Sequence, residues 1–419
     1  MRPTELATAL VESRPLGRVG TPVVAGLLLA SLVALVAATV SDVPTWEDRF
    51  GRTKTVRAFA ASAACMLGLL LAPAALARLR RARAMPETVF WTGAAVAAAG
   101  WTALRFETNR EYARATLDAL ANGDAAAPFQ HRVLVPAAVR LARELELPGI
   151  GVGDRPWQLV EFVAAVAAVV ALRRLFATVI ERGTAGALAI GSLVPLGLVL
   201  AFPPRVNPYF YPYDTPSVAF LAFGLVALRE RRWVPYYAAF AVGCVNRETV
   251  CFLAVAFALA WAPAMAPRRL GAHLAAQALL WTLVKLALVG RFPETSAVGG
   301  GSRVFVDQWE RNVEFLTTWT SAIQSLAVLG GIWVLVLVRW PSVPDALWRR
   351  VSLTALPFLA GMAVVGLLAE VRIYADLFPF LAPAALSVLD ARNGPRPNGP
   401  RGPEPAADAG RARGARAPP

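Results

Sequence analysis

The chain has 419 residues, of which 57% are hydrophobic, and it carries a formal net charge of +14. This composition is more apolar than that of ordinary soluble domains, and the apolar residues stand in long uncharged blocks, which excludes a soluble globular fold. The block Thr21–Val40 has no charge and is long enough to cross a bilayer core of roughly 30 Å at about 1.5 Å per residue. The sequence predicts one all-α membrane protein, in which residues 21–389 form a polytopic helical bundle.

Twelve apolar segments follow one another along the chain, and each is a candidate transmembrane helix. The sixth to eighth are short for a full crossing, so the bundle is expected to contain about 10–12 transmembrane helices. In chain order the segments are Thr21–Val40, Ala58–Ala77, Thr88–Leu104, Trp157–Leu172, Ala185–Phe202, Thr215–Leu228, Trp233–Val245, Thr249–Ala262, Leu270–Val289, Phe315–Val338, Val351–Ala369 and Ile373–Leu389.

Arginine in short loops predicts orientation, because such loops are retained in the cytoplasm. Arginines follow every even-numbered segment, which places them on one side, although the loop with Arg49, Arg52 and Arg57 departs from this pattern. We expect both termini in the cytoplasm, with a short segment 1–20 and a disordered basic tail 390–419. The same pattern favours two short helices that meet at Asn246-Arg247-Glu248. A single helix over residues 233–262 would move every later arginine outside.

The positive charge comes mainly from arginines in these short loops, a distribution that suits anionic lipid headgroups. We therefore expect membrane lipids as partners and no nucleic acid. Cys65, Cys244 and Cys251 all lie within apolar blocks and have neither disulfide nor metal-ligand spacing. No bound metal and no cofactor are expected.

The largest outward loop is predicted to run over residues 105–156 and to contain two amphipathic helices on the membrane surface. In the first helix Ala113 and Leu117 begin a helical apolar spacing, and the second helix ends near Leu147. Glu107 and Glu111 stand where the loop begins. They are candidate functional acids, and the simpler alternative is that they pair with arginines three or four residues away on a wet helix face.

Ten further polar residues map to the same outward face: Gln130, His131, Arg132, Asp214, Asn246, Arg247, Glu248, Glu370, Arg372 and Tyr374. Simpler explanations exist for several of them. Asp214 could cap the helix that follows, and the neighbouring tyrosines could form an aromatic belt at the membrane interface. Two further charged residues, Glu161 and Lys285, lie near the outer ends of their segments, where snorkelling to the interface is expected.

Two of these clusters stand at turns between apolar helices, Arg247 with Glu248 and Glu370 with Arg372. A charge inside a bilayer costs roughly 2.5–3.5 kcal/mol even on the lenient scale, so such residues usually pair or line a wet cavity. We expect the outward clusters to surround one cavity. Arginine grips phosphate oxygens through paired N–H bonds, and a carboxylate can accept a proton from a hydroxyl nucleophile. The cavity therefore suits a substrate that carries phosphate and hydroxyl groups.

An acidic residue near the end of a helix begins a pattern that resembles a known family. The features that follow it are Tyr112, an amphipathic helix with Gly123, the stretch Phe129-Gln130-His131-Arg132-Val133-Leu134-Val135-Pro136, the turn Tyr213-Asp214-Thr215 and the run Asn246-Arg247-Glu248-Thr249. The pattern resembles bacterial integral-membrane glycosyltransferases of the GT-C type, the superfamily of polyprenyl- or dolichyl-phosphate-sugar mannosyltransferases. The resemblance covers most of residues 87–389, and many relatives with this pattern are uncharacterised.

The resemblance implies that an acid in the first large outward loop is the catalytic base, and this role falls on Glu107 or Glu111. Family members usually have aspartate there, often beside a second acid, whereas this chain has two glutamates four residues apart. The extra pair of N-terminal segments makes Asp42, Glu47 and Asp48 rival candidates for the base.

Other roles follow from the same resemblance. Three arginines are expected to bind the donor phosphate: Arg132, Arg247 and Arg372. Three residues are expected to orient sugar hydroxyls or to hold those arginines: Asp214, Asn246 and Glu370. The expected activity is inverting glycosyl transfer on the outer face of the cytoplasmic membrane, from a polyprenyl-phosphate sugar to a glycan, lipid or protein acceptor. The alternative is a transporter or flippase for a lipid-linked or anionic solute, which charges at one edge and the lack of a visible repeat disfavour.

Overall fold

The computed structural model describes residues 86–145, 151–201, 209–292, 303–317, 328–368 and 370–391. Within these ranges the regular secondary structure is helical, and strand-like pairing is limited to two isolated bridges, Arg110 with Tyr209 and Tyr112 with Ala115. The all-α class expected from the sequence is therefore observed. Several predicted features lie outside the described residues: the segments Thr21–Val40 and Ala58–Ala77, the rival acids Asp42, Glu47 and Asp48, and the tail after Ala391.

The α-helices are numbered here from the first described one. They are α1 Glu87–Thr108, α2 Leu117–Asn122, α3 Leu134–Glu144, α4 Arg155–Phe176, α5 Arg182–Gly191, α6 Leu193–Leu200, α7 Asp214–Arg229, α8 Trp233–Asn246, α9 Phe252–Trp261, α10 Pro267–Arg291, α11 Arg303–Thr317, α12 Ile332–Arg339, α13 Ala346–Val351, α14 Ala355–Val365 and α15 Phe378–Ala391. Short 3₁₀ turns join or extend several of them: Phe129–His131, Glu248–Cys251, Val328–Gly331, Trp340–Ser342, Ser352–Thr354 and Val371–Leu377.

Three helical stretches among the described residues are long and apolar enough to cross a membrane. They are Arg182–Leu200 with 19 residues, Pro267–Arg291 with 25 and Val371–Ala391 with 21. The apolar stretches Glu248–Trp261 and Ile332–Ser342 are shorter. These helices suggest association with a membrane, and the larger number of crossings expected from the sequence stays a prediction.

The main core lies between α1, α4, α7 and the helices that follow them, and α4 and α7 make the most extensive helix contact. Both helices contribute small side chains to the core, among them Ala165, Ala168 and Ala222, and all three are fully buried. Small residues let helix backbones approach closely, which is how helices pack when their other faces are also apolar. A second, smaller core lies under the large loop and includes Leu120 and Trp157.

The apolar region Trp233–Ala262 is divided into two helices, as the arginine pattern predicts. α8 ends at Asn246 because Arg247 has extended backbone angles, with φ −160° and ψ 142°. The Trp233 and Trp261 rings lie 5.9 Å apart, so α8 and α9 run antiparallel. Gly243 permits this hairpin, because a Cβ atom there would stand 2.8 Å from a methyl group of Val250.

A group of arginines lies at the end of α8 and α9 that is farther from Arg247. These arginines come from separate loops and contact carboxylates or the carbonyl oxygens at the end of a helix. Arg229 donates to Asp345 at 3.0 Å, and Arg173 forms two 2.7 Å bonds with Glu87. Arg350 donates to two carbonyl oxygens in the last turn of α9. The bundle therefore has one arginine-rich end and one end with mixed charges. The placement of these ends across a membrane stays a prediction.

Three sequence expectations about helix bounds are corrected. The first amphipathic helix of the large loop was expected to begin near Ala113, but α2 begins at Leu117 because the Thr116 side chain accepts the backbone N–H of Ala119 and caps it. The stretch between the predicted segments Leu270–Val289 and Phe315–Val338, which was not expected to be helical, contains most of α11, and this helix packs on α14. The segment Phe315–Val338 is not one helix, since Gly331 has a positive φ of 72° just before α12.

Candidate functional site

Four cations and four carboxylates meet at the mixed-charge end of the bundle, and their formal charges cancel. We call this group the ion cluster. The cations are Arg132, Arg247, Lys285 and Arg372, and the carboxylates are Asp214, Glu248, Glu370 and Asp376. They come from the large loop, α7, the α8–α9 turn, α10 and the 3₁₀ turn before α15. Segments far apart in sequence therefore converge here, as a common cavity would require.

Arg247 stands at the centre of one half of the ion cluster. Its Nη1 donates to Oδ1 of Asp214 at 2.8 Å and lies 3.3 Å from Oδ2 of Asp376. The Thr249 hydroxyl donates to the same Asp376 oxygen at 2.6 Å. Both aspartates are completely buried. The extended backbone of Arg247 between α8 and the next turn carries its side chain across to the first residue of α7.

Asp214 is shared between two guanidinium groups. In addition to Arg247, Arg372 places Nη1 3.4 Å from the same Oδ1 atom and donates from Nη2 to Glu370 at 2.8 Å. The simpler helix-cap explanation for Asp214 is not supported, because α7 shows no side-chain capping bond at its N-terminus. The side chain of Asp214 instead binds arginines, while its negative charge also suits the positive end of the helix dipole.

Arg132 and Glu248 form the other half of the ion cluster. The guanidinium meets the carboxylate through two N–H bonds, from Nε at 3.1 Å and from Nη2 to the second oxygen. Lys285 adds a longer contact, with Nζ 3.8 Å from Glu248. Burial opposes the charge on Arg132, but the Glu248 carboxylate outweighs it and raises the pKa of Arg132 above its ordinary value. Arg132 and Glu248 therefore form a bidentate ion pair.

Five aromatic rings pack beside the ion cluster, and we call them the aromatic group: Tyr112, Phe129, Tyr209, Tyr211 and Tyr213. The Arg372 guanidinium lies 3.7 Å from the Tyr211 ring centre, and that of Arg132 lies 4.3 Å from Tyr213. Tyr211 and Tyr213 are 2% and 0% exposed, so they do not form an aromatic belt facing lipid headgroups. Burial raises the pKa of Tyr213 to about 12, which keeps its hydroxyl neutral.

Several buried polar atoms of the site have no hydrogen-bond partner among the described residues. They are Arg132 Nη1, Tyr213 Oη, Asp214 Oδ2, Asn246 Oδ1, Arg247 Nε and Asp376 Oδ1. A buried polar atom left without a partner costs about 1–3 kcal/mol, and native proteins pair nearly all such atoms with protein or water. This concentration of both donors and acceptors suits a ligand with hydroxyl and oxyanion groups.

The other expected binding residues lie around this centre. The Asn246 amide donates to the Tyr213 carbonyl at 2.9 Å and to Ser217. Gln130, two residues before Arg132 in the chain, is also buried. His131 is partly buried, and burial together with the Lys285 charge lowers the pKa of His131. The Tyr374 hydroxyl donates to the Leu368 carbonyl, so it supports the turn before Glu370.

The two expected catalytic acids stand apart from the ion cluster. Glu107 and Glu111 are exposed, and Glu111 accepts the backbone N–H of Leu117 at 3.3 Å. The alternative of helical pairs with nearby arginines is not supported among the described residues, because α1 ends at Thr108 and the spacing beyond it is not helical. Tyr112, the residue after Glu111, belongs to the aromatic group, and its ring centre lies 6.2 Å from that of Tyr211.

Sequence reasoning missed three parts of the site. Asp376 lies inside the predicted segment Ile373–Leu389, where a lone carboxylate is itself a signal of a functional or paired group. Lys285 contacts Glu248 instead of reaching only the interface. Glu161 does not snorkel, because it is 1% exposed and accepts hydrogen bonds from Trp101 and Thr215.

Arg105 supports the aromatic group from inside the bundle. It is fully buried, and its two terminal nitrogens donate to the carbonyls of Leu200 at 3.0 Å and Tyr211 at 3.1 Å. Its Nε lies 3.5 Å from Glu161. One guanidinium therefore ties together the residues on either side of positions 201–210 and fixes the backbone that carries Tyr211.

Within the described ranges, no group of three or more His, Cys, Asp or Glu side chains is arranged to hold a metal ion. The carboxylates of the ion cluster face arginine and lysine instead.

Nothing among protein-family models, curated proteins or solved structures matches the chain. The likeness to GT-C glycosyltransferases therefore rests on the motifs of the chain itself.

Proposed function

We propose that this chain is an integral-membrane glycosyltransferase of the GT-C type. It moves a sugar from a polyprenyl-phosphate donor to a hydroxyl of a glycan, lipid or protein acceptor on the outer face of the cytoplasmic membrane. The observation that supports this most is the ion cluster, which gathers buried charges and unpaired polar atoms at one end of apolar helices. A substrate with a lipid anchor and a polar head matches this combination.

The geometry refines the roles expected of the arginines. Arg247 and Arg372 both hold Asp214, so their first task is to fix the carboxylates of the site. The N–H groups left over, Arg132 Nη1 and Arg247 Nε, donate to phosphate or sugar oxygens of the bound donor. Asp214 Oδ2 and Asn246 Oδ1 accept from sugar hydroxyls, and the aromatic group packs against the apolar face of the sugar ring.

The catalytic base in this proposal is Glu107 or Glu111. Burial opposes the charge on Glu248, but Arg132 outweighs it and lowers the pKa of this carboxyl group, so Glu248 is a poor base. Neither Glu107 nor Glu111 forms an ion pair among the described residues. The acceptor oxygen attacks the anomeric carbon and its proton passes to the glutamate. The bond from the anomeric carbon to the phosphate oxygen breaks, its electron pair leaves with polyprenyl phosphate, and the configuration inverts.

The second candidate function is a transporter or flippase for a lipid-linked or anionic solute. The neutral ion cluster is the observation that favours it, because buried ion pairs that exchange partners can couple to solute movement. Transporters usually place such charges near the bilayer midplane between repeated halves. Here the charges lie where several helices begin or end.

The test compares cells with and without the protein. Mass spectrometry of their glycolipids and glycoproteins should show one class of glycan that is shortened by a single sugar in the deletion strain and restored by the wild-type chain. A variant of the exposed pair of Asp118 and Arg143, Arg143→Gln, is the matched control and should restore it fully. Unchanged glycans combined with a changed distribution of a lipid-linked sugar between leaflets would favour the transporter.

A further inference from the structure

Glu161 is a buried carboxylate that the proposed reaction does not use. It lies in the first half of α4 and is 1% exposed. Its Oε1 atom has three neighbours on two other helices. This oxygen accepts hydrogen bonds from Trp101 Nε1 at 2.8 Å and from the Thr215 hydroxyl at 2.7 Å, and it lies 3.5 Å from Arg105 Nε. One oxygen atom on α4 therefore joins α1 to α7.

The two helices that Glu161 joins lead to different parts of the proposed reaction. Trp101 and Arg105 lie near the end of α1, and Glu107 follows in the last turn of the same helix. Thr215 is the residue after Asp214, with which α7 begins, and Asp214 contacts two arginines of the ion cluster. Glu161 thus stands between the helix that carries a candidate base and the helix that carries the anchor of these arginines.

The segment beyond α1 is attached to the same region by a second contact. Asn109 stands between Glu107 and Glu111 in the chain. Its side-chain amide donates to the carbonyl oxygens of Leu200 at 2.9 Å and Tyr209 at 3.3 Å. The part of the chain that holds both candidate acids is therefore tied to the stretch that leads into α7.

We infer that Glu161 is a positioning residue, which holds the end of α1 and the candidate base at a fixed distance from Asp214 at the start of α7. This inference rests on the proposed function and adds to it a residue that does not touch the substrate. α4 packs against both α1 and α7. Apolar contacts are non-directional, whereas a hydrogen bond has a preferred length and angle, so the bonds to Glu161 fix the register of the two helices more strictly.

The first experiment measures kcat and the donor KM of the purified full chain with a labelled polyprenyl-phosphate sugar. Thr215→Val removes the hydroxyl that binds Glu161 and keeps the shape of the side chain. Because a displacement of about 1 Å can cost about 100-fold in rate, this variant should lower kcat by about 10- to 100-fold. The donor KM should stay within a few-fold of the wild-type value. Thr178→Val is the matched control, since it removes a hydroxyl that donates to the Leu175 carbonyl just after α4, and it should keep the wild-type kcat.

A second variant tests whether the two hydrogen bonds act as one bridge. Trp101→Phe removes the bond from α1 and should lower kcat by less than Thr215→Val does, because Arg105 still contacts Glu161 from the same helix. Added to Thr215→Val it should cause little further loss, because the bridge is already open. If Glu161 serves stability alone, these variants will lower the folded fraction, whereas kcat per folded molecule will stay at the wild-type value. That result would overturn the inference.

A distance measurement makes the test independent of catalysis. Spin labels are attached at Ala113→Cys and Glu230→Cys in a chain without the native cysteines, and both positions are exposed. Ala113 lies two residues after Glu111, and Glu230 follows α7. Pulsed electron paramagnetic resonance should give a shifted or broader distance distribution for Thr215→Val and the wild-type distribution for Thr178→Val.

The outcomes separate this inference from the proposed function. A folded Thr215→Val variant with the wild-type kcat and the wild-type distance distribution overturns the positioning role of Glu161 and leaves the proposed function standing. If Thr215→Val fails to fold, Trp101→Phe takes its place in both measurements. A wild-type chain that transfers no sugar contradicts the proposed function, whereas the distances still support or overturn the link that Glu161 makes between α1 and α7.

Discussion

Removing the charge of Asp214 should destabilise the protein, because this carboxylate holds two arginines in a fully buried site. Asp214→Asn keeps the shape but leaves the ion cluster with one uncompensated positive charge. Breaking a buried ion pair in this way typically costs 3–5 kcal/mol. Arg247 retains Asp376 at 3.3 Å and Arg372 retains Glu370 at 2.8 Å. We therefore expect a loss near the lower end of this range, about 3 kcal/mol in the free energy of unfolding.

A double-mutant cycle separates this charge effect from a loss of packing. Adding Arg247→Met to Asp214→Asn makes the ion cluster neutral again. The double variant should therefore lose about 1–3 kcal/mol less free energy of unfolding than the sum of the losses of the two single variants. Equilibrium unfolding in mixed detergent micelles, followed by tryptophan fluorescence, supplies the free energies. The matched control is Asp118→Asn, whose carboxylate is 81% exposed and pairs with Arg143, and it should change stability by less than about 0.5 kcal/mol. A loss below about 1 kcal/mol for Asp214→Asn, with additive effects in the cycle, would show that the Asp214 charge does not stabilise the two arginines.

Three further predictions concern activity and topology. Either Glu107→Gln or Glu111→Gln removes the catalytic base, and that variant should lower turnover by about 10²–10⁴-fold without unfolding the protein. Undiminished transfer by both variants would show that neither glutamate is the base. Arg247→Lys keeps the charge but loses the planar guanidinium group, so the KM for the donor should rise more than the KM for the acceptor. A rise confined to the KM for the acceptor would contradict the assignment of Arg247 to the donor. In intact cells that lack the native cysteines, an impermeant thiol reagent should label a cysteine placed at Gly123 and not one at Gly394, and the reverse pattern would invert the topology.

The sequence could predict that charged residues far apart in the chain lie close together, because an unpaired charge inside a bilayer has a high free energy. Arg247 and Glu248 stand at a turn with almost no loop to lift them into water, so a shared polar site was the physical expectation. Which atoms would pair could not be predicted, since each partner of Asp214 lies on another segment. Asp376 was missed for the same reason, because its arginine and its threonine both come from the turn between α8 and α9.

Helix bounds were predicted well where one apolar block matched one helix, and poorly where local backbone chemistry intervened. α10 extends the predicted segment Leu270–Val289 by only a few residues at each end. The segment Phe315–Val338 failed because hydrophobicity alone does not register the left-handed backbone that Gly331 permits. Lys285 was assigned to the interface because snorkelling is the usual behaviour of lysine near a helix end, and only the packed structure places Glu248 within its reach.

Formation of a glycosidic bond at this site can be tested with the purified full chain, supplied with a labelled polyprenyl-phosphate sugar and a panel of hydroxyl acceptors. A glycosyltransferase should transfer the label to one acceptor class, release polyprenyl phosphate in equal amount, and form a product whose anomeric configuration is inverted relative to the donor. Donor that stays intact while it crosses the membrane of reconstituted vesicles in a protein-dependent manner would contradict glycosyl transfer as the function of this site.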